Sequence, residues 1–293
     1  MKRTKGEYIF QAFNTIFMIL LCVIMIYPYL NQVAVSFNEG TDAMMGGISI
    51  FPRKFTLANY AAIFSNQSIP RAALISVSKV LLGTLISLVV LFTCAYGITR
   101  ANLPYRRAIT LYLMIPCYIS AGVVPTYIIY RYLGLINNYW VYVLPACFSF
   151  YNMVILRSFL QEMPASIEES AKLDGANDIQ IMYKIAIPLS KPVLATITLW
   201  VSVGLWNAWM DTMLYITDRE LYSLSYIMMQ LIKESSLAQQ MAQDSGMVES
   251  AAKPTPDTIK AATLIITTIP IIMVYPFLQK YFIKGVTLGA VKG

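Results

Sequence analysis

The sequence contains no histidine and few charged side chains. Charged residues account for 13% of the 293 positions, about half the share of an average soluble domain. The four cysteines stand apart from one another, each inside an apolar run: Cys22, Cys94, Cys117 and Cys147. Because metal sites are built from clustered histidine, cysteine and carboxylate ligands, we expect no bound metal. The missing histidine also excludes a Ser-His-Asp triad.

A phosphate-binding loop is missing as well. No stretch fits G-x-x-x-x-G-K-[ST], whose backbone amides would cradle nucleotide phosphates. The apolar runs also lack the series of acidic and basic residues expected of proton-driven transporters, with Asp211 as the main exception. We therefore expect a chain that is not an enzyme and binds no cofactor itself. Any ATP-Mg would be used by a partner ATPase.

The positive charge of the chain does not indicate a nucleic-acid partner. The formal net charge is +7, but the 22 lysines and arginines are scattered in short clusters between apolar runs. Nucleic-acid binding would gather such residues on one face. Orientation in a membrane explains the pattern better, because short loops rich in Lys and Arg stay in the cytoplasm.

Long apolar runs dominate what the sequence does contain. Hydrophobic residues make up 57% of it, and a helix needs about 20 apolar residues to span a bilayer. The candidate spans are roughly residues 15–35, 75–98, 108–130, 137–157, 190–216 and 259–282. Barrel strands would be shorter and would alternate. We predict an all-α polytopic membrane protein with six transmembrane helices.

The distribution of basic residues between alternate loops predicts that both termini are cytoplasmic. The predicted map has a cytoplasmic N-terminus at 1–14, a transmembrane domain at 15–282, a cytoplasmic loop at 158–189, an extracellular loop at 217–258 and a cytoplasmic tail at 283–293. Lys79 does not fit this map easily. We place it near the outer end of the second span, where its ammonium group can snorkel to the interface, so that the span begins nearer Val80.

The inner connection between the fourth and fifth spans is too long to be a simple link. Ser166, followed three residues later by Glu169, fits a capping box and predicts a helix that begins at Ile167. Lys172 can pair with Glu168 across one turn of this helix. The loop should therefore contain a capped acidic helix.

A second short helix should follow at Gly175. This glycine permits the left-handed turn that ends a helix, and Asn177 or Asp178 can cap the next one. Apolar residues at helical spacing then continue up to Pro188: Ile179, Met182, Ile185 and Ala186. The two helices could rest on the lipid surface, but their exposed acids would face an anionic leaflet. A protein partner is the favoured interpretation.

The stretch EESAKLDGANDIQIMYKIAIPLSKP resembles the cytoplasmic EAA signature of ABC importer permeases. Glu169, Ser170 and Ala171 stand at the Glu-Ala-Ala positions, Gly175 stands at the glycine, and Pro188 ends the motif. Ser170 departs from alanine, which is a change from one small residue to another. Together with the six spans, the text LYITDRELYSLSY and the tail QKYFIKGVTLGAVKG, the motif makes most of the chain similar to the MalG-type permeases of carbohydrate importers, in the oligosaccharide branch.

This resemblance implies the fold of an ABC type I importer permease and a heterotetrameric core in the cell membrane. The implied partners are membrane lipid, a second homologous permease, two ATPase subunits and an extracellular solute-binding protein, which the outer loop would meet. The first helix of the motif would be the coupling helix, seated in a cleft of the ATPase, and the tail would reach toward the same subunits. The implied coupling residues are Glu169 as charged anchor, Glu168 as its assistant, Ser170, Ala171 for close packing, Asp174, and Gly175 as hinge.

An aromatic and polar cluster in LWVSVGLWNAWMDTML is the candidate substrate path. The spacing i, i+4, i+7, i+11 places four residues on one helical face, flanked by two tryptophans. The four are Trp200, Gly204, Asn207 and Asp211, and the flanking pair is Trp206 and Trp209. Aromatic rings stack on sugar faces, and amides and carboxylates bond to hydroxyls. A belt of interfacial aromatic residues, which occurs whatever the function, is the alternative.

We interpret the chain as the permease subunit of an ATP-driven, binding-protein-dependent importer that moves an oligosaccharide into a bacterial cell by alternating access. Two alternatives stay open at this point. One is an ABC importer permease for a non-sugar solute, and the other is an ATP-independent secondary transporter. Transport that survives vanadate would favour the latter.

Overall fold

A computed structural model describes residues 5–65, 67–100, 103–119, 121–244 and 254–290. Within these ranges the chain is helical and contains no β-strand, only an isolated bridge between Asn38 and Phe55. In chain order the helices are α1 (Lys5–Ser36), α2 (Gly40–Met44), α3 (Ala58–Phe64), α4 (Ser68–Thr99), α5 (Arg106–Tyr118), α6 (Val123–Tyr132), α7 (Phe150–Gln161), α8 (Ala165–Leu173), α9 (Asp178–Ile181), α10 (Ile187–Leu189), α11 (Lys191–Asn207), α12 (Met210–Tyr215), α13 (Leu224–Asp244) and α14 (Pro256–Ala290). The all-α prediction is confirmed for the described residues.

Three helices are long and apolar enough to cross a membrane on their own. They comprise Gly6–Ser36, Ser68–Thr99 and Pro256–Pro276. Two bent pairs raise the number of spans to as many as five: Tyr139–Cys147 with Phe150–Gln161, bent by 43°, and Asp178–Leu189 with Lys191–Asn207, bent by 78°. Three to five spans are therefore found among the described residues, and the count of six stays a prediction.

The predicted third span, 108–130, is interrupted rather than continuous. Helix α5 ends at Tyr118, and α6 begins only at Val123 after Gly122, whose φ is +83°. A glycine in this conformation interrupts a helix without the steric cost that a side chain would add. Neither half is long enough to span a bilayer alone.

The chain divides into two compact units. The first comprises Met1–Gln67 and Met228–Pro270, and the second comprises Ser68–Ile227 and Ile271–Gly293. In the first unit, α1 exposes nearly all of its apolar side chains between residues 6 and 28. Such a helix suits a lipid or protein surface rather than water.

A polar cluster lies in the first unit just after α1. The Asn59 amide donates to the carbonyls of Ser36 and Asn38, at 2.9 Å each. The Asp42 carboxylate accepts from Asn38 at 2.8 Å and from Arg53 at 2.9 Å. Asn59 thus satisfies a carbonyl that the end of α1 leaves free, as helix ends require.

In the second unit, α4 packs against α7 and α11. The centre of this core consists of side chains with no exposed surface: Leu91, Ala95, Met153, Leu156 and Ile197. Gly83 lets α4 and α11 approach closely, because a Cβ there would lie 2.7 Å from Leu205 Cδ1. Close packing around small residues is the main attraction between helices in lipid, where the hydrophobic effect is weak.

The inner connection contains two short helices, as predicted, but the first does not begin as expected. Helix α8 starts at Ala165 after Pro164, and no side chain caps it. The predicted capping box at Ser166 is therefore wrong. Pro164, with ψ of 126°, is the N-cap, so the helix starts two residues earlier than expected and Ser166 lies inside it. The second helix is capped by Asn177, whose box with Gln180 is complete.

The apolar spacing predicted after Asn177 is confirmed only in part. Ile181, Met182 and Ala186 are buried, whereas Ile179 is exposed. The chain passes through a π turn at Met182–Ala186 before α10. One extra residue per turn shifts the buried face, so a regular helical period misplaces Ile179.

The predicted outer loop at 217–258 is largely helical. Helix α13 runs through much of its polar part, to Asp244, and the sequence there is rich in Ala, Gln and Met, which are good helix formers. Residues 245–253 lie outside the described residues. The predicted tail at 283–293 begins as a continuation of α14, which ends at Ala290, and its last three residues are also outside the described ranges, as are residues 1–4.

Candidate functional site

The α8–α9 corner (residues 165–181) turns at Gly175 in a left-handed conformation, with φ of +81°. The amide of Ala176 donates to the carbonyl of Ala171 at 2.9 Å, and that of Gly175 donates to Lys172 at 3.0 Å. These two bonds form a Schellman motif, which satisfies the last carbonyls of α8. The prediction that Gly175 ends the first helix is confirmed.

The corner presents both charge and apolar surface to its surroundings. Glu169 is exposed, Leu173 is 89% exposed and Ile179 is 66% exposed. Ser170, Asp174 and Gly175 are also exposed, whereas Ala171 is half-buried. Exposed large apolar side chains mark surfaces that contact protein or membrane.

The helical spacing predicted that Glu168 pairs with Lys172, but the structure shows a different partner for Glu168. Its two carboxylate oxygens accept from the two terminal nitrogens of Arg100, at 2.5 and 2.6 Å. The Arg100 guanidinium also lies over the ring of Tyr96, 3.9 Å from its centroid. The fork of an arginine matches a carboxylate better than a lysine ammonium does. Lys172 instead approaches the Asp178 carboxylate, at 4.0 Å.

Tyr96 contacts the corner a second time. Its hydroxyl donates to the backbone carbonyl of Asp178 at 3.1 Å. The end of α4 therefore holds the helix before Gly175 through Glu168 and the helix after it through Asp178. Sequence inspection missed both contacts, since 68 and 82 residues separate the partners.

The helix that was predicted to carry the candidate substrate path is interrupted after Asn207. Helix α11 ends at Asn207, Ala208 has a ψ of 89°, and α12 begins at Met210. Asp211 therefore does not share one continuous face with Trp200, and the predicted four-residue face is wrong at that position. The break contains neither proline nor glycine, the residues that usually mark a kink, and it was therefore not predicted.

Trp200, Gly204 and Asn207 do share an exposed face, which we call the α11 face. The Trp200 ring lies 6.2 Å from that of Tyr151, which is also exposed. Among the described residues, no atom comes within 4 Å of where a Cβ on Gly204 would be, apart from the helix's own backbone and the two residues next to Gly204 in the chain. The α11 face thus combines two aromatic rings, a small residue and an amide.

The two flanking tryptophans behave differently from this face. Trp206 is only 7% exposed, and its carbonyl accepts a hydrogen bond from the Ser225 hydroxyl. Trp209 is half-buried. Trp206 therefore packs inside the unit and is not placed to stack on a ligand.

Lys79 lies at the break, inside the protein. Its side chain is fully buried, its Nζ donates to the Ala208 carbonyl at 2.9 Å, and it sits 4.9 Å from the centroid of the Tyr142 ring. The snorkelling prediction is wrong, because this carbonyl and ring provide partners within the protein. The Asp211 carboxylate also interacts electrostatically with Lys79.

Hydroxyl groups extend this buried polar region. The Tyr142 hydroxyl shares a hydrogen bond with Thr212 at 2.8 Å and donates to the Leu221 carbonyl at 2.9 Å. Thr212 also bonds to Ser223 at 2.7 Å. The one sequence signal for the region was a lysine inside an apolar run, since such residues are kept only where a partner or a function exists.

Comparison with known proteins decides the family. The sequence profile of the family described as "Binding-protein-dependent transport system inner membrane component" matches residues 7–288. The chain belongs to this family. The family resemblance read from the EAA-like motif is thereby confirmed, and an inner-membrane transport component accounts for the apolar helices.

Relatives and a solved structure agree with the family. The polygalacturonan/rhamnogalacturonan transport system permease protein YtcP of Bacillus subtilis (strain 168) is 36% identical over 277 residues, which cover 94% of this chain and 96% of the relative. Protein LplC of the same organism is 35% identical over 293 residues, covering 100% and 98%. A chain of a bacterial ABC transporter involved in the import of the acidic polysaccharide alginate matches with a TM-score of 0.80 and 25% identity, covering 96% of this chain and 99% of that chain.

Proposed function

We propose that this binding-protein-dependent permease imports an oligosaccharide, with energy supplied by two partner ATPase subunits that hydrolyse ATP-Mg. The observation that carries the proposal is the α8–α9 corner, a rigid, exposed turn with a free carboxylate, in a chain of this family. The corner supplies a docking surface and no chemistry of its own. In this proposal, energy enters the chain through the ATPase subunit seated on the corner.

In this proposal α8 is the coupling helix. Glu169 is the charged anchor toward a basic residue of the ATPase, and half-buried Ala171 keeps the surface close-packed. Ser170, Asp174 and Gly175 complete the contact surface. Glu168 has a different task from the one expected, because Arg100 already occupies its carboxylate.

The assembly would place a second homologous permease beside this chain and a solute-binding protein on the outer side. Both termini would be cytoplasmic, and the three long helices, the two bent pairs and the interrupted segment of α5 and α6 would together make six spans. The predicted inner loop at 158–189 would then face the ATPases, and the segment at 217–258 would face the binding protein. A pull-down identifies which ATPase and which second permease accompany the chain.

The substrate class follows from the α11 face and from the relatives. Trp200 and Tyr151 offer ring faces for sugar stacking, and Asn207 offers an amide that can both donate and accept. Trp209 and Asp211 follow the break after Asn207 and are not part of this face. The names of YtcP and of the alginate transporter refer to polysaccharides, which favours a glycan fragment over a non-sugar solute.

Alternating access would expose the α11 face to one side of the membrane at a time. Closure of the ATPases would displace α8, and the packed helices attached to it would change between discrete arrangements, since tightly packed interfaces do not deform smoothly. A loaded binding protein would favour the transporting state only through its higher affinity for that state.

Uptake by the reconstituted complex tests the proposal. The permease pair, the ATPases and the binding protein are placed in proteoliposomes, and uptake of labelled trigalacturonate, maltotriose and spermidine is compared with and without vanadate. We expect vanadate-sensitive uptake of an oligosaccharide. Uptake of spermidine but of neither sugar would show that the substrate is not an oligosaccharide. Uptake that resists vanadate would show that transport does not depend on ATP hydrolysis.

A further inference from the structure

Helix α4 connects the α8–α9 corner with the break beside Asn207. Arg100 follows directly after its last residue, Thr99, and Lys79 lies 21 positions earlier. At 1.5 Å per residue the two side chains are about 32 Å apart along the axis. Between them the described helix is continuous, without a proline, so both ends move together.

The inner end of α4 is fastened to the corner by two separate contacts. Arg100 forms a two-pronged ion pair with Glu168, and both side chains are about three-quarters covered, with 21% and 26% exposed. Tyr96 lies beneath the guanidinium and bonds to Asp178 on the far side of Gly175. Two-pronged charge-assisted bonds of this kind fix orientation as well as distance.

The other contact is the one that Lys79 makes with the break in α11. Its ammonium satisfies the carbonyl of Ala208, the residue between Asn207 and α12. A cation is favoured at the C-terminal end of a helix, where the carbonyls carry partial negative charge. A movement of α4 along its axis therefore acts on the backbone next to Asn207.

The alternative route from the corner to α11 follows the chain itself and is less direct. It passes through α9, the π turn and α10, and then bends by 78° into α11. A π turn and a sharp bend absorb displacement locally. Helix α4 has neither feature.

We propose that α4 transmits displacement of the α8–α9 corner to the α11 face, with Arg100 and Lys79 as the positioning residues at its two contacts. The inference rests on the proposed coupling role of α8. It assigns Glu168 to the internal Arg100 contact and leaves Glu169 for the ATPase.

The measurement uses a cysteine at Asn207 as a reporter of access. The four native cysteines are replaced by serine, Asn207→Cys is introduced, and the complete complex is assembled in nanodiscs. The rate of modification by a membrane-impermeant methanethiosulfonate is compared between the nucleotide-free complex and the complex trapped with ATP-Mg and vanadate. The readout requires no knowledge of the transported sugar.

We expect the modification rate in the parent to differ between the two states. Arg100→Gln should bring the ratio of the two rates close to one, and the swap Arg100→Glu with Glu168→Arg should restore it. The coupling between these positions should change the ratio roughly tenfold, the scale of a hydrogen bond to a charged group. Lys79→Met should also bring the ratio of the two modification rates close to one. Arg107→Gln, which removes an exposed arginine from the same inner region, should retain it.

Each outcome decides a different point. A parent without a state-dependent rate overturns the proposed path and this inference together. A parent ratio that survives unchanged in Arg100→Gln overturns the inference alone. If Arg100→Gln fails to assemble, Tyr96→Phe decides, because it keeps the ring under Arg100 and removes only the bond to Asp178. We expect it to lower the ratio, and an unchanged ratio counts against the transmission through α4.

Discussion

At the scale of single residues, the free carboxylate of Glu169 is the side chain on which coupling most directly depends. Glu169→Lys reverses its charge while leaving the Schellman turn and the Arg100 contact intact. Because close ion pairs across an interface couple by about 1.5–7 kcal/mol, ATP-driven uptake should fall by about tenfold or more. Uptake in proteoliposomes measures the effect. Glu162→Lys, an exposed residue of the same inner connection, is the matched control and should transport normally.

The amide of Asn207 is the polar group on the α11 face. Asn207→Ala removes the side-chain amide, with its two N–H donors and its carbonyl acceptor. Loss of one hydrogen bond worth about 1 kcal/mol should raise the KM for uptake about fivefold. Initial uptake rates across a series of sugar concentrations give KM. Asn14→Ala, which changes an exposed asparagine on α1, should leave KM unaltered. Equal KM values for the two variants would show that Asn207 does not contact the transported sugar.

Asp42 makes the stability of the first unit depend on pH. The hydrogen bond from Asn38, with help from the Arg53 guanidinium, holds the pKa of this carboxyl below its ordinary value of 3.8. A lowered folded-state pKa means that the stabilisation is present above the ordinary pKa and is lost as pH falls through the lowered value. Asp42→Asn should therefore lower the Tm at pH 7, with a difference from the wild type that shrinks below about pH 4.

Thermal unfolding of the purified protein between pH 7 and pH 3 checks this expectation. Asp257→Asn, an exposed acid in the same unit, should have little effect at any pH. A difference between Asp42→Asn and the wild type that stays constant down to pH 3 would show that the carboxyl is not stabilised by these contacts.

At the scale of elements, Gly175 decides whether α8 ends in a rigid corner. A side chain in the left-handed conformation costs about 1–2 kcal/mol, so Gly175→Ala should loosen the turn and speed hydrogen exchange of the Ala176 amide roughly tenfold. Gly97→Ala is the matched control, because Gly97 lies inside α4 without a positive φ and with open space around it. Equal exchange in the two variants would contradict the role of the turn.

Local signals in the sequence predicted the corner well. Gly175 and Asn177 act through their own backbone neighbourhood, so the chain reveals them without knowledge of the fold. The start of α8 was predicted wrongly because two start signals compete there, and Pro164 prevails over Ser166. Prediction from the sequence succeeded here for interactions between residues within about one helical turn of each other.

Long-range contacts lay beyond that reading. Lys79 binds a carbonyl 129 residues away, and Arg100 binds a carboxylate 68 residues away. The break after Asn207 contains no proline or glycine that would predict it. It is stabilised instead by a lysine from another helix, which binds the free carbonyl of Ala208. The misplacement of Asp211 on the α11 face follows from the same cause.

At the scale of the whole molecule, apolar composition identified a membrane protein and the motif identified the family. The number of spans is harder to predict, because an apolar run can fold as two short helices with a bend, as the pairs bent by 43° and 78° do. The length of an apolar run indicates whether it can cross a bilayer. It does not indicate where the backbone bends within the run.

Imaging of the purified complex by electron cryomicroscopy, with the second permease and both ATPases present, tests the transfer of energy into this chain most directly. We predict that α8 will lie on the cytoplasmic side in a cleft of one ATPase, with Glu169 facing a basic side chain and Glu168 still bound to Arg100. A complex in which α8 lies on the outer side, or touches only lipid, would contradict the proposed coupling.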